Sequence, residues 1–412
     1  MHRPGIPALK IEARRLYLIM NAAAALCYTL VFTASNLFVI TVAKLEPLQL
    51  VLVGTVLELS AFIFEIPTGV VADLFSRRLS VIIGFALVGV GFIVYGGWPY
   101  FATILLAQVL WGLGYTFTSG AAEAWISDEI GEERAAVTYL SAARLDQVAS
   151  LVAIPLTVLL AARGGLSLPM LIGGGGFILL SVFLWAAMSE DGFTPTPAAD
   201  RTTWQQMRQT LRQGLCMVRA RPALLGILGI GLFYGLYSEA YDRLSTALLL
   251  DRFTFPTWLD LPLIGWFGAI SAVGMLFSLV ATTLVERLGL TRPRQLALAM
   301  GSGTALLVAA LAGFAVSHSL AFSIALVWTI GLLRRVNAPL YTAWVNHRLD
   351  SQVRATVISM SSQVDALGQI AGGPLLGLAA QALGLQAGLL GSALLLSPAL
   401  LLFALQLRGE AR

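Results

Sequence analysis

The sequence predicts an all-α integral membrane protein, with twelve transmembrane helices in two pseudo-symmetric six-helix bundles. Three observations lead there. Of the 412 residues, 58% are hydrophobic and 12% charged, with a mean hydropathy of +0.82; that is about half the charged fraction of a soluble domain. The apolar residues gather into runs of about 20, long enough to cross a bilayer as helices. The second half of the chain also repeats features of the first at one fixed offset.

The runs place six spans at roughly 16–43, 47–70, 79–98, 101–126, 135–162 and 166–188. Six more fall at roughly 222–250, 259–285, 294–316, 320–345, 354–383 and 386–407. An N-terminal bundle over 1–188, a linker over 189–221 and a C-terminal bundle over 222–412 follow. In the linker, Trp204, Met207, Leu211, Leu215 and Val218 recur at helical spacing with Arg208, Arg212 and Arg219 between them. This predicts an amphipathic helix lying on the inner leaflet and tethering the halves. The repeat shows in "EAWISDEIGEERAAV" from Glu123 and "TAWVNHRLDSQVRATV" from Thr342. Trp125 and Trp344 stand 219 residues apart, as do Asp146 and Asp365, and Pro155 and Pro374. Span 4 therefore corresponds to span 10, and span 5 to span 11, as in two related bundles.

Basic residues set the expected orientation. With the N-terminus in the cytoplasm, the inner segments hold nineteen, Arg77, Arg78 and Arg134 among them, and the outer loops only Lys44, Arg163 and Arg252. This positive-inside bias puts both termini in the cytoplasm, for a chain expected in the cell inner membrane. "MHRPGIPALKIEARR" is polar and the run after it too long for an h-region, so no cleavable signal peptide is expected. Cys27 lies in the first run and Cys216 in the linker, an arrangement that predicts no disulfide. His2, His318 and His347 lie far apart, and Lys10 and Lys44 follow no glycine-rich loop. Neither a metal, nor a cofactor, nor a P-loop is expected. No nucleophile–base pair points to an enzyme.

Between spans 2 and 3 runs "EIPTGVVADLFSRRLS", which sets Gly69, Asp73, Arg77 and Arg78 in the order G-x-x-x-D-x-x-x-R-R. In a loop between the second and third of twelve spans, this resembles the signature of the major facilitator superfamily. A glycine there allows a tight helix end and close packing. The acid can cap a facing helix or pair with a base, and arginines bind carboxylates and headgroups. The resemblance implies a loop that latches the two halves on the cytoplasmic side and releases as they rock, with Gly69, Asp73, Arg77 and Arg78 as its gate residues. Ser76 stands where a glycine is usual, and Leu74 where a basic residue is frequent. A degenerate copy, "VERLGLTRPRQ", puts Glu286, Arg292 and Arg294 in the matching loop of the second half.

Ten charged residues fall inside the predicted spans and away from their ends: Glu58, Glu65, Arg144, Asp146, Glu239, Asp242, Arg243, Arg334, Arg335 and Asp365. Facing lipid they would cost about 30 kcal/mol, at about 3 kcal/mol each. They are expected to pair or to line a wet cavity near mid-depth. Glu239 and Arg243, four apart with the acid first, suit an intrahelical ion pair. Arg144 and Asp146 are two apart, so each needs a partner from another helix. Arg334, Asn337 and Tyr341 share one helical face, the pattern of cavity lining. With Asn337 and Tyr341, all of the ten except Glu65 and Arg335 form the candidate coupling site or substrate cavity. A buried carboxylate can carry a proton. Asp146 and Asp365 are the leading proton sites, the rival reading being that each neutralises an arginine such as Arg144 or Arg334.

The family resemblance implies a secondary transporter working by alternating access, and the branch resembled is that of the drug–proton antiporters. Those commonly carry an arginine in span 4, where this chain has Gln108. They also carry a glycine-proline motif in span 5, where this chain has Pro155 without glycines; the glycine-rich form, "LGQIAGGPLLG", sits in span 11. The expected task is proton-coupled efflux of small lipophilic compounds by a monomer in the lipid bilayer. Tyr28, Phe32, Trp111, Tyr115, Tyr237, Tyr241 and Trp328 would line its cavity. The alternatives are a proton-coupled importer of a small metabolite, anionic if Arg144 or Arg334 holds it, and a non-transporting membrane sensor. No nucleic-acid partner is expected.

Overall fold

The structure, a computed structural model, describes residues 11–194, 222–257, 261–287, 292–348 and 351–409. Their regular structure is helical throughout. Before the linker come α1 (Ala13–Thr41), α2 (Pro47–Leu74), α3 (Arg77–Gly97), α4 (Phe101–Thr118), α5 (Ala121–Ile130), α6 (Glu132–Gly164) and α7 (Ser167–Ala187). After it come α8 (Pro222–Arg252), α9 (Leu263–Arg287), α10 (Pro293–Val316), α11 (Leu320–Arg348), α12 (Ser351–Leu383), α13 (Leu385–Leu396) and α14 (Pro398–Gly409). Among the described residues eleven spans are long and apolar enough to cross a membrane, α4 with α5 and α13 with α14 each counting as one. Leu263–Phe277 of α9 is a shorter apolar stretch, which is consistent with twelve. The helix expected over Trp204–Val218 lies outside the described residues.

Two expected spans are broken. Span 4 divides at Ser119–Gly120, where Gly120 takes φ +73°, a left-handed conformation that ends a helix and suits glycine. Span 12 divides at Ser397, ahead of Pro398, which has no N–H to continue the ladder of α13.

The chain forms two compact units. The first comprises Met1–Lys44, Val56–Arg201 and Trp258–Gly268, the second Leu45–Thr55, Thr202–Thr257 and Ala269–Arg412. Each is built to the same plan. In the first, α1 packs on α6 and α7, and α3 on α4 and α7; in the second, α8 packs on α12 and α13, and α10 on α11 and α13. Helices α6 and α12 each have 33 residues, and both their starts (351 − 132) and their ends (383 − 164) lie 219 apart. Gly165 follows one at φ +72° and Gly384 follows the other at +95°, positions where a side chain would be strained. Trp125 and Trp344 are both buried.

Inside a bilayer the hydrophobic effect does not draw helices together, so close packing of small residues decides the contacts. A Cβ at Gly235 would overlap the Asp365 carbonyl, and one at Gly372 the backbone of Leu236. Helices α8 and α12 therefore meet backbone to backbone. The repeat-related pair is different: α1 contains no glycine, and Thr29 Oγ1 bridges to Ser150 Oγ on α6 at 3.0 Å.

Candidate functional site

Within the second unit, side chains from α8, α10, α11 and α12 surround a cavity of about 420 Å³. Tyr234, Tyr237 and Ser238 come from α8, Arg334, Asn337 and Tyr341 from α11, and Ser361, Asp365 and Gln369 from α12. Steps of three and four residues put each trio on one helical face. The polar tips are largely tied together. Tyr234 Oη and Thr304 Oγ1 of α10 lie 2.7 Å apart, and Asn337 Nδ2 donates to Tyr234 Oη at 3.0 Å. Tyr341 donates its proton to the Ile227 carbonyl at 3.2 Å, so Ser361 Oγ, 2.5 Å away, is the donor to Tyr341.

The charges divide unevenly. Arg334 donates from Nη1 to Asp242 Oδ1 at 2.5 Å and from Nη2 to Oδ2 at 2.8 Å, a bidentate fork. Its guanidinium carbon lies 5.9 Å from the Tyr237 ring centre and 5.8 Å from that of Tyr241, within cation–π range. The possible pairing of Arg334 with Asp365 or Asp146 is therefore replaced by a pair with Asp242, which α8 carries to the guanidinium edge. Asp365 accepts a hydrogen bond from Gln369 Nε2 at 2.9 Å, one turn along its own helix. It has no ion-pair partner among the described residues. Glu239 and Arg243 form the intrahelical pair that their spacing predicts, at 2.8 Å. Glu239 is buried, and its carboxylate occupies the space that a Cβ at Gly54 would need.

Most of the remaining candidates lie in the first unit. Asp146 is half-buried, and its Oδ1 makes no hydrogen bond among the described residues. Arg144 and Glu65 are exposed and Glu58 is half-buried, while Arg335, in the second unit, is exposed. Gln108 is 1% exposed with neither amide atom hydrogen-bonded among the described residues. The aromatic set does not form one lining. Tyr28, Phe32 and Trp111 cluster with Phe92 and Phe177, the Phe32 and Trp111 rings 5.1 Å apart. Tyr237 and Tyr241 flank Arg334, Trp328 donates to the Ile270 carbonyl at 2.8 Å, and Tyr115 is exposed.

At the α2–α3 turn, Ser76 caps α3 by accepting from the Leu79 N–H at 2.9 Å. Arg77 pairs with Asp128 of α5 and donates to the Ala124 carbonyl at 3.0 Å. Asp73 is exposed and 4.0 Å from Arg77. Glu190, just past α7, accepts from Ser76 Oγ at 2.6 Å and from the Arg78 N–H at 3.0 Å. Arg78 Nη2 donates to the Trp185 carbonyl at 2.5 Å. Glu129 accepts from the backbone N–H groups of Asp191 and Gly192 at 2.7 and 2.8 Å. The basic residues of the motif are thus anchored inside their own unit. Gly69 does not make the close contact expected of it: it lies within α2, and a Cβ there would meet nothing within 4 Å. Arg292 and Arg294 are exposed at the start of α10, and the side chain of Glu286 lies outside the described residues.

Several of these residues escaped the sequence reading. Ser361 and Gln369 stand four residues either side of Asp365, a helical spacing that could have exposed them. Asp128, Glu129 and Glu190 gave no such signal, since acids near helix ends are common. No group of three His, Cys, Asp or Glu among the described residues could hold a metal ion.

The family described as Major Facilitator Superfamily matches residues 17–373. The chain is 26% identical over 366 residues, 82% of each chain, to the protein named "Uncharacterized MFS-type transporter YxaM" of Bacillus subtilis (strain 168). Its fold is similar to the crystal structure of the nucleoside transporter NupG, with a TM-score of 0.73 at 13% identity over 96% of this chain and 99% of that one. It is also similar to a bacterial homolog of the human lysosomal transporter Spinster in an inward-facing and unoccupied conformation, with a TM-score of 0.72 at 15% identity over 96% of each. At those two identities the likeness concerns the fold.

Proposed function

The chain belongs to the major facilitator superfamily and is a multi-pass membrane transporter rather than an enzyme, and on that footing we propose that it exports small organic compounds in exchange for protons. The observation that carries the reading is Asp365. Its carboxylate faces a cavity of about 420 Å³ and is held by Gln369, while Arg334 of the same lining is committed to Asp242. A carboxylate so placed can take a proton on one side of the membrane and release it on the other as the two halves alternate access. An inward proton gradient then drives cargo out. The positive-inside bias supports an orientation in the inner membrane with both termini, and the Arg77–Asp128 cluster, on the cytoplasmic side, and the proposed working unit is the monomer.

A second reading, proton-driven uptake of a polar metabolite, draws support from the hydroxyl- and amide-rich lining of the same cavity and from the likeness to a nucleoside transporter. Purified protein in liposomes with a trapped pH dye separates the two. A panel of amines, nucleosides, sugars and lipophilic dyes is added outside. Exchange makes an acid-loaded lumen more alkaline as cargo enters and protons leave. Symport acidifies a lumen that starts at the outside pH. A lumen that changes in neither way with any compound would overturn proton coupling.

A further inference from the structure

The charges of the second unit say more about the cargo. We propose that this cavity selects a ligand bearing one positive charge, a small amine, with Asp365 as its counter-ion and Asp242 enforcing the selection. The inference rests on the cavity being the cargo site.

Arg334 is the cation that an anionic ligand would need, and it is occupied. Both of its Nη atoms are spent on Asp242, and the rings of Tyr237 and Tyr241 lie against it. An anion could reach it only by displacing Asp242 and giving up the bidentate fork between them, a costly exchange. The Glu239–Arg243 pair is likewise neutral overall. The other titratable groups lining the cavity are the phenols of Tyr234, Tyr237 and Tyr341, which are uncharged near neutral pH. With Arg334 balanced by Asp242, Asp365 leaves one negative charge over. An ammonium group satisfies it with a charge-assisted hydrogen bond, while the hydroxyls of Ser362 and Thr342, on the same lining, can hold a polar far end. A proton satisfies the same charge, so proton and amine exclude one another there, as the exchange proposed above requires.

The test uses three probes with one ring and one phenol in common: tyramine (an ammonium), tyrosol (an alcohol) and 4-hydroxyphenylacetate (a carboxylate). Calorimetry on the purified full chain in detergent is expected to rank tyramine at least about tenfold tighter than tyrosol, the size of one charged hydrogen bond, with the carboxylate weakest. Asp365→Asn keeps an acceptor for Gln369 and should bring tyramine down to the level of tyrosol without lowering the unfolding temperature. The double variant Asp242→Asn with Asp365→Asn leaves Arg334 as the uncompensated charge and should reverse the order, with 4-hydroxyphenylacetate tightest. Equal affinities in the natural chain, a preference there for the carboxylate, no amine binding, or a tyramine preference that survives Asp365→Asn would each overturn the proposal. Because the readout is binding at equilibrium, such a result leaves proton exchange with another cargo standing. Only the liposome experiment can remove that.

Discussion

Helices α6 and α12 occupy the same place in their two halves, yet their acids have different neighbours. Both run 33 residues, contain a proline at the same step, and carry an acid fourteen residues from the start (146 − 132 and 365 − 351). Around the acid they part. Asp365 is flanked one turn away by Ser361 and Gln369; the repeat-related positions in α6 are Ala142 and Ser150, and Ser150 bonds to Thr29 rather than to Asp146. Gly368 and Gly372 let α12 meet the backbone of α8, where α6 has Ala149 and Ala153. A repeat can preserve a backbone and the position of a charge while the neighbours that give the charge a task change. Symmetry finds candidates, and packing chooses between them.

The sharpest way to break this comparison is to neutralise both acids. Asp365→Asn is expected to lower coupled transport by roughly 100-fold, about 3 kcal/mol of interaction with a charged group, and Asp146→Asn by less than about threefold. Flux assays at matched expression decide it, and equal losses would dissolve the distinction. Next comes the seam. Gly372→Ala drives a Cβ into Leu236 backbone and should cost about 1–3 kcal/mol, as overpacking does. Gly175→Ala, where a Cβ meets nothing within 4 Å, should leave unfolding in detergent unchanged. If the two variants unfold alike, the backbone-to-backbone packing of α8 and α12 is wrong.

Asp242→Asn tests the ion pair of the second half against an exposed charge of the first. Its partner Arg334 stays partly buried, so about 2 kcal/mol should be lost. Arg144→Gln, which removes an exposed charge with no ion pair among the described residues, should stay within about 0.5 kcal/mol. The smallest effect belongs to the α1–α6 bridge: Thr29→Val should cost about 1 kcal/mol or less, read from the same unfolding curves.

Much of the fold was legible in the sequence because a bilayer imposes length and apolarity on every span. The breaks at Gly120 and before Pro398 escaped because one residue's backbone conformation ends a helix without changing the hydropathy around it. In the site, Arg334, Asn337 and Tyr341 were readable from helical spacing, as was the Glu239–Arg243 pair. The partner of Arg334 was not, because Asp242 lies 92 residues away and several acids were available to it. The anchoring of Arg77 on Asp128 was hidden for the same reason: only tertiary packing brings α5 to the α2–α3 turn. The likeness of the loop motif singled out Arg77 and Arg78 without revealing what anchors them, and suggested a packing role for Gly69 that the open space beside it does not support.

On the proposed reading, protons exchange for cargo at Asp365. The most direct test is accumulation of labelled tyramine by inside-out membrane vesicles whose interior is made acidic. The natural chain should concentrate the label inside, collapse of the proton gradient should release it, and Asp146→Asn should behave like the natural chain. Asp365→Asn at equal expression should give no accumulation beyond the passive trapping seen in vesicles lacking the chain. Accumulation above that level in Asp365→Asn would contradict exchange at this residue.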